Sequence, residues 1–160
     1  MSGDQLWPAL LLTALACLLL GMEVPTTAAY IICVSVAGPA LQNLGLDLLT
    51  THLFVFWFAL LSTITPPVCG AVFIAAGMVN ENWLKVAVSA MALGIGLYLV
   101  PIGMVVNADL IRLEQAPLLA LIAAAKTGLS LSAIAYGVIA PLKTWIRILL
   151  AASGFLLLLI

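Results

Sequence analysis

From Leu48 to Asn80 the chain runs for thirty-three residues without a formal charge, His52 being taken as neutral. As one helix they would measure about 50 Å, at about 1.5 Å each, against a bilayer hydrocarbon core of about 30 Å. Such a stretch is too apolar for water and too long to cross a membrane once as a straight rod. The sequence supplies an interruption near its middle, at Ser62-Thr63-Ile64-Thr65-Pro66-Pro67. Pro67 has no N–H to give the carbonyl of Thr63, nor Pro66 to that of Ser62, so the paired prolines free carbonyls where hydroxyls are also concentrated. Leu48–Leu61, rich in Phe and Trp, precedes this point, and Val68–Val79, rich in Ala and Gly, follows it. The pattern predicts a discontinuous transmembrane helix over 48–79. The alternative is one long tilted helix kinked at proline.

Composition extends the argument to the whole chain. Of 160 residues, 66% are hydrophobic and 7% charged, where soluble domains run near 45–50% and about 25%. Mean hydropathy is +1.32. The expected class is an all-α polytopic membrane protein, surrounded by lipid, with room for at most about seven spans. Disorder and a disulfide scaffold are excluded by the same numbers, and a net charge of −1 offers no footprint for nucleic acid.

The few charges mark the remaining segments. Before Glu23, residues 6–22 suit a helix at the lower edge of a span; after it, 28–42 suit a shorter one. Glu23-Val24-Pro25-Thr26-Thr27 between them has no basic residue and no long polar loop. Two short helices joined by a tight proline turn predict a re-entrant hairpin over 6–42, with its tip at membrane depth; the alternative is two ordinary spans with a surface turn. Three further spans are expected at 83–106, 117–140 and 144–160. Lys126, inside the second of these, either snorkels to the interface or belongs to a pathway. Lys85, Lys143 and Arg147 fall on one side, taken as cytoplasmic, and Arg112 on the other beside Asp109 and Glu114. A cysteine after Ala16 faintly suggests a lipoprotein signal, but the preceding flank has Asp4 and no basic residue, against a cleaved signal.

Catalytic chemistry has no visible foothold, and an enzyme is not expected. Cys17, Cys33 and Cys69 lack metal-binding spacing and read as small packing residues. His52 has no acidic or serine partner at useful spacing and reads as an interfacial or helix-packing residue. No metalloprotease, serine-hydrolase or phosphate-loop motif is present. What remains is the pair of interrupted elements. Irregular backbone at membrane depth survives where it is buried or lines a cavity, and two such breaks point to a transporter site. Thr26, Thr27, Ser62, Thr63 and Thr65 add hydroxyl oxygens that suit a small cation. Half-helix N-termini, expected at Ala28 and Val68, suit a substrate carboxylate. The competing reading has these hydroxyls bonded back to their own helices.

Gly21-Met22-Glu23-Val24-Pro25-Thr26-Thr27-Ala28-Ala29-Tyr30 resembles the GMGLPTTAAY motif of the large membrane subunit of tripartite ATP-independent periplasmic (TRAP) transporters, in the ion transporter superfamily. Thr51-His52-Leu53-Phe54-Val55-Phe56-Trp57-Phe58, followed by Ile64-Thr65-Pro66-Pro67-Val68, resembles the AHLFVFYF…DITPPV stretch of its fused-permease branch, which works with TAXI-type binding proteins. The resemblance covers about residues 6–112 and makes 1–112 a second-repeat transport region, with 113–160 a C-terminal extension of two membrane helices. It implies a secondary organic-acid permease that works as an elevator, coupled to sodium or protons, with no other cofactor. A periplasmic TAXI-type protein would deliver the substrate. The implied site comprises Gly21, Met22, Glu23, Pro25, Thr26, Thr27, Ser62, Thr63, Thr65, Pro66 and Pro67, with sodium at Thr26, Thr27 and Thr65.

Three departures accompany this resemblance. The family's large subunit has two inverted repeats, and this chain corresponds to the C-terminal one. A fragment, a truncated gene and a split subunit all fit, and the N-terminal repeat or a small membrane subunit is an expected partner. Glu23 replaces the usual Gly at the hairpin tip, where it could ligate a cation, repel an anion or face water without consequence. Thr63 stands where the branch usually has Asp, which removes a charge and bears on ion coupling. The second hypothesis for the chain is an accessory or structural membrane subunit without transport of its own.

Overall fold

The computed structural model describes residues 3–111, 113–141 and 143–159, so Arg112, counted above in the orientation, lies outside the described residues. Every regular element among the described residues is helical. Gln5–Glu23 and Pro117–Ile139 are each long and apolar enough to cross a membrane, and Trp83–Leu93 with Ile95–Val106 makes a third if counted as one span. Large apolar side chains stand uncovered: Val36 is 76% exposed, Met78 83% and Leu118 71%. Bare apolar surface of this kind belongs in hydrocarbon. The protein is an all-α polytopic membrane protein. It divides into two compact units, Met1–Ala90 and Met91–Ile160.

In the first unit α1 (Gly3–Glu23) and α2 (Thr26–Asn43) form a helical hairpin whose turn is Val24 and Pro25. Both arms are longer than the expected 6–22 and 28–42. Val24 N–H still reaches the Leu20 carbonyl at 3.2 Å, and the Pro25 carbonyl already accepts Ala29 N–H at 3.0 Å. A proline restricts itself and the residue before it but leaves the residue after it free to be helical. The second arm therefore begins at Thr26 rather than Ala28. Cys17 on α1 and Cys33 on α2 are buried, and their side chains interact between the arms.

The end of α2 is closed by a Schellman turn: Leu46 N–H bonds the Leu41 carbonyl at 3.1 Å and Gly45 N–H that of Gln42 at 2.9 Å. Gly45 takes φ 101°, a conformation open to glycine. Asp47 then caps α3 (Leu48–Leu61), accepting Thr50 N–H at 3.1 Å and the Thr50 hydroxyl. Burial pushes the Asp47 carboxyl up, but the hydrogen bonds from Thr50 outweigh it and hold the group below the ordinary aspartate range. Helices α1, α2 and α3 pack on one another.

After α3 the chain leaves the helix for residues 62–69 and resumes as α4 (Gly70–Val79), two residues later than the expected Val68. Val68 and Cys69 stay outside the helix after the paired prolines, with Cys69 at ψ 81°. Asn80, at φ 52°, ends α4. Cys69 and Val72 form a small core with Ala87 of α5 (Trp83–Leu93), and Phe73 lies 4.8 Å from Trp83 between ring centres.

The expected plain span 83–106 is not one rod. It divides at Gly94 into α5 and α6 (Ile95–Val106). Gly94 and Gly96 stand two residues apart, and glycine is the weakest helix former after proline. In the second unit, α6 and a 3-10 turn (Ala108–Ile111) lie against α7 (Pro117–Ile139), which pairs with α8 (Thr144–Leu159). A Cβ on Gly137 would stand 2.9 Å from the Arg147 carbonyl, and one on Gly154 2.7 Å from the Ser130 carbonyl. Ser130 donates its hydroxyl to the Gly154 carbonyl at 2.5 Å. Arg147, counted above as a topology charge, is half-buried and caps α7: its Nε donates to Gly137 O at 3.0 Å and its Nη2 to Val138 O at 2.5 Å.

Two predictions follow from this packing. Gly154→Ala should destabilise the α7–α8 pair by about 1–3 kcal/mol, read as a lower unfolding midpoint of the purified chain in detergent. Asp47 has a lowered folded-state pKa, so its contribution is present above the unfolded value and lost as pH falls through the folded one. Asp47→Asn should keep much of the cap yet remove that acid-side loss from a pH series of melting curves.

Candidate solute and ion site at the two helix breaks

The hairpin tip and the break after α3 lie far apart in sequence, and the fold brings them together. Gly21, in the last turn of α1, lies against Ser62, the first residue of the break. A Cβ added at Gly21 would overlap the Ser62 hydroxyl and would stand 2.8 Å from the Ser62 Cβ and 3.2 Å from the Ala59 carbonyl. A glycine is needed there for the close approach itself, since a helical backbone makes no other demand for one.

The break begins as a tightened turn. N–H groups of Thr63, Ile64 and Thr65 bond the carbonyls of Leu60, Leu61 and Ser62 at 3.2, 3.2 and 3.3 Å, each three residues back. Hydroxyls complete it: Ser62 donates to Ala59 O at 2.7 Å, Thr63 to Leu60 O at 2.8 Å and Thr65 to Leu61 O at 2.6 Å. Of the two readings open for these residues, the structure shows the back-bonded one. The Ser62 carbonyl, expected to be free because Pro66 cannot donate, is taken by Thr65 N–H instead. A hydroxyl that donates its hydrogen still carries lone pairs, so a back-bonded threonine oxygen keeps a face for a cation. Pro66 and Pro67, joined by a cis peptide bond, then turn the chain toward α4.

The other expected site residues are distributed around this contact. Met22, Thr26 and Pro66 are half-buried, as are Thr63 and Thr65, whereas Glu23, Pro25, Thr27 and Pro67 are exposed. Thr26 and Thr27 belong to the first turn of α2 and not to unwound chain. The half-helix N-termini lie at Thr26 and Gly70, two residues before and two after the expected Ala28 and Val68.

One link escaped the sequence. His52 Nδ1 lies 2.7 Å from the Tyr30 hydroxyl, joining α2 to α3. The two residues are twenty-two positions apart, so no local spacing could reveal the pair. It is a helix-packing role, one of the two read for His52. The Asp47 cap was not assigned from sequence either, although an aspartate directly before an apolar helix is an N-terminal signal.

The family description that matches the sequence, over residues 1–119, is "Tripartite ATP-independent periplasmic transporter, DctM component". The chain belongs to this family. The match takes in both breaks and the contact between them. No match was found among curated proteins, and none among solved structures. The family is one of membrane transport proteins, and its description makes the chain a component of a tripartite system.

The Gly21–Ser62 contact makes its own prediction. Gly21→Ala should destabilise the first unit by about 1–3 kcal/mol, and adding Ser62→Gly should recover part of the loss, because the clash then has no side chain on the other side. A double-mutant cycle on detergent melting midpoints measures this; strict additivity would mean the two residues do not touch.

Proposed function

We propose that the chain is the C-terminal part of a TRAP-type permease of the fused, TAXI-associated branch. It takes up organic acids by secondary active transport in a bacterial or archaeal cytoplasmic membrane. The observation that carries this reading is the contact of Gly21 with Ser62, which sets the tip of a hairpin against the break of a discontinuous helix. Broken helices meeting at one point offer a solute both things it needs inside a membrane, backbone N–H groups at helix starts and oxygen ligands from turns. Gly21 to Thr27 and Ser62 to Pro67 form this half of the site. The oxygens of Thr26, Thr27 and Thr65 serve a sodium ion, and the helix starts at Thr26 and Gly70 face the substrate carboxylate. The hairpin is re-entrant and moves with the broken helix as part of an elevator domain, which carries solute past a fixed scaffold. The N-terminal repeat, or a small membrane subunit, completes the site, and a periplasmic TAXI-type protein delivers the substrate.

The accessory-subunit reading predicts a different response to loss of the threonine oxygens. In cells making the chain with its native partners, Thr26→Val and Thr65→Val should each lower ion-dependent uptake of a labelled dicarboxylate by about tenfold or more, the scale of losing one charge-assisted contact. The protein should still reach the membrane at normal levels. Uptake that is equal in wild type and both variants would favour the accessory reading.

A further inference from the structure

Tyr30 and His52 are not placed in the solute site, yet they join the hairpin to the broken helix. Tyr30 is in the second turn of α2. Its hydroxyl lies 2.7 Å from His52 Nδ1, its ring stands 6.1 Å from the imidazole, and it meets Phe56 edge-on at 5.7 Å and 88°. All three contacts fall on α3. The hairpin turn just before α2 is only Val24 and Pro25, so the rotation of its first turn must be set by what its side chains grip.

That rotation decides between two neighbouring hydroxyls. The inward stripe of α2 includes Ala29 and Cys33, which are 0% and 4% exposed, with Tyr30 half-buried beside them. Thr26 precedes these residues by three, seven and four positions, the spacings that share a helix face. Thr27 shares the three-residue spacing to Tyr30 but precedes Ile31 by four, and Ile31 is 55% exposed. Thr26 is accordingly half-buried and Thr27 exposed.

We propose that Tyr30 and His52 are a positioning pair: their hydrogen bond fixes the rotation of the first turn of α2, turning Thr26 into the cluster of α1, α2 and α3 and Thr27 away from it, so that Thr26 rather than Thr27 is the main hydroxyl that α2 supplies to the solute site. The inference rests on the transport reading given above and ranks the two threonines of α2 among its three. The imidazole acts here through a ring nitrogen that pairs with a phenol, and an amide placed near Nδ1 can pair in the same way.

The test has two arms. In the first, nitroxide labels are placed on Thr26→Cys or Thr27→Cys in a chain whose three buried cysteines are alanine, and their mobility is read by spin resonance in lipid. The label at 26 is expected to be immobilised and that at 27 mobile. Tyr30→Phe should free the label at 26, and His52→Asn, which keeps a hydrogen-bonding group for Tyr30, should hold it. Equal mobility at the two positions, or a label at 26 indifferent to Tyr30→Phe, overturns the positioning pair. In the second arm, uptake of a labelled dicarboxylate with the native partners present is expected to fall about tenfold or more in Thr26→Val and by much less in Thr27→Val. Equal losses overturn the assignment to Thr26. If wild type shows no uptake at all, the transport reading falls, and the label arm still decides the positioning pair.

Discussion

A backbone N–H or C=O left unpaired in hydrocarbon costs several kcal/mol, about as much as a good share of a small protein's net stability. Three places where the described chain leaves a helix show carbonyls taken up by other means. At the end of α3 three hydroxyls and three tightened backbone bonds take up the carbonyls of Ala59, Leu60, Leu61 and Ser62, the last of which Pro66 cannot serve. At the end of α2 a Schellman turn does the same with a left-handed glycine. At the end of α7 the work falls to a side chain, since Arg147 reaches from α8 to two carbonyls of the last turn. At these ends the carbonyls named are already hydrogen-bonded within the chain.

Close approach is the second theme. In lipid, helices gain little from apolar burial against one another, so association depends on packing and on polar contacts between helices. Gly21 in the first unit, and Gly137 and Gly154 in the second, stand where a Cβ would collide with a neighbouring segment of the same chain. Polar contacts accompany them: Ser130 to the Gly154 carbonyl, and Tyr30 to His52. In the first unit the same contact that allows tight packing also sets the hairpin tip against the helix break. Packing and the site's geometry are thus carried by one pair of residues.

Much of this could be read in advance because proline and charge act locally. Pro25 and Pro66-Pro67 mark the turn and the break whatever else the chain does, and Glu23, Asp47 and Glu81 mark the ends of apolar runs. Element edges moved by about two residues where a proline's influence was assigned to the wrong side, as at Thr26. The division of 83–106 at Gly94 was missed, although its glycines were visible, because glycine weakens a helix without forbidding it. The direction of the hydroxyls was also open, because a threonine in a turn can reach back to its own helix or outward with equal ease until its surroundings are fixed.

The sequence by itself determined that this is a helical membrane protein and where proline interrupts its helices, since both follow from transfer of side chains into lipid and from the missing proline N–H. Tertiary structure alone decided which failures meet. Gly21 against Ser62 and Tyr30 against His52 depend on how α1, α2 and α3 rotate about their own axes, and that rotation is settled by the fit of whole helix faces, which no short run of residues encodes.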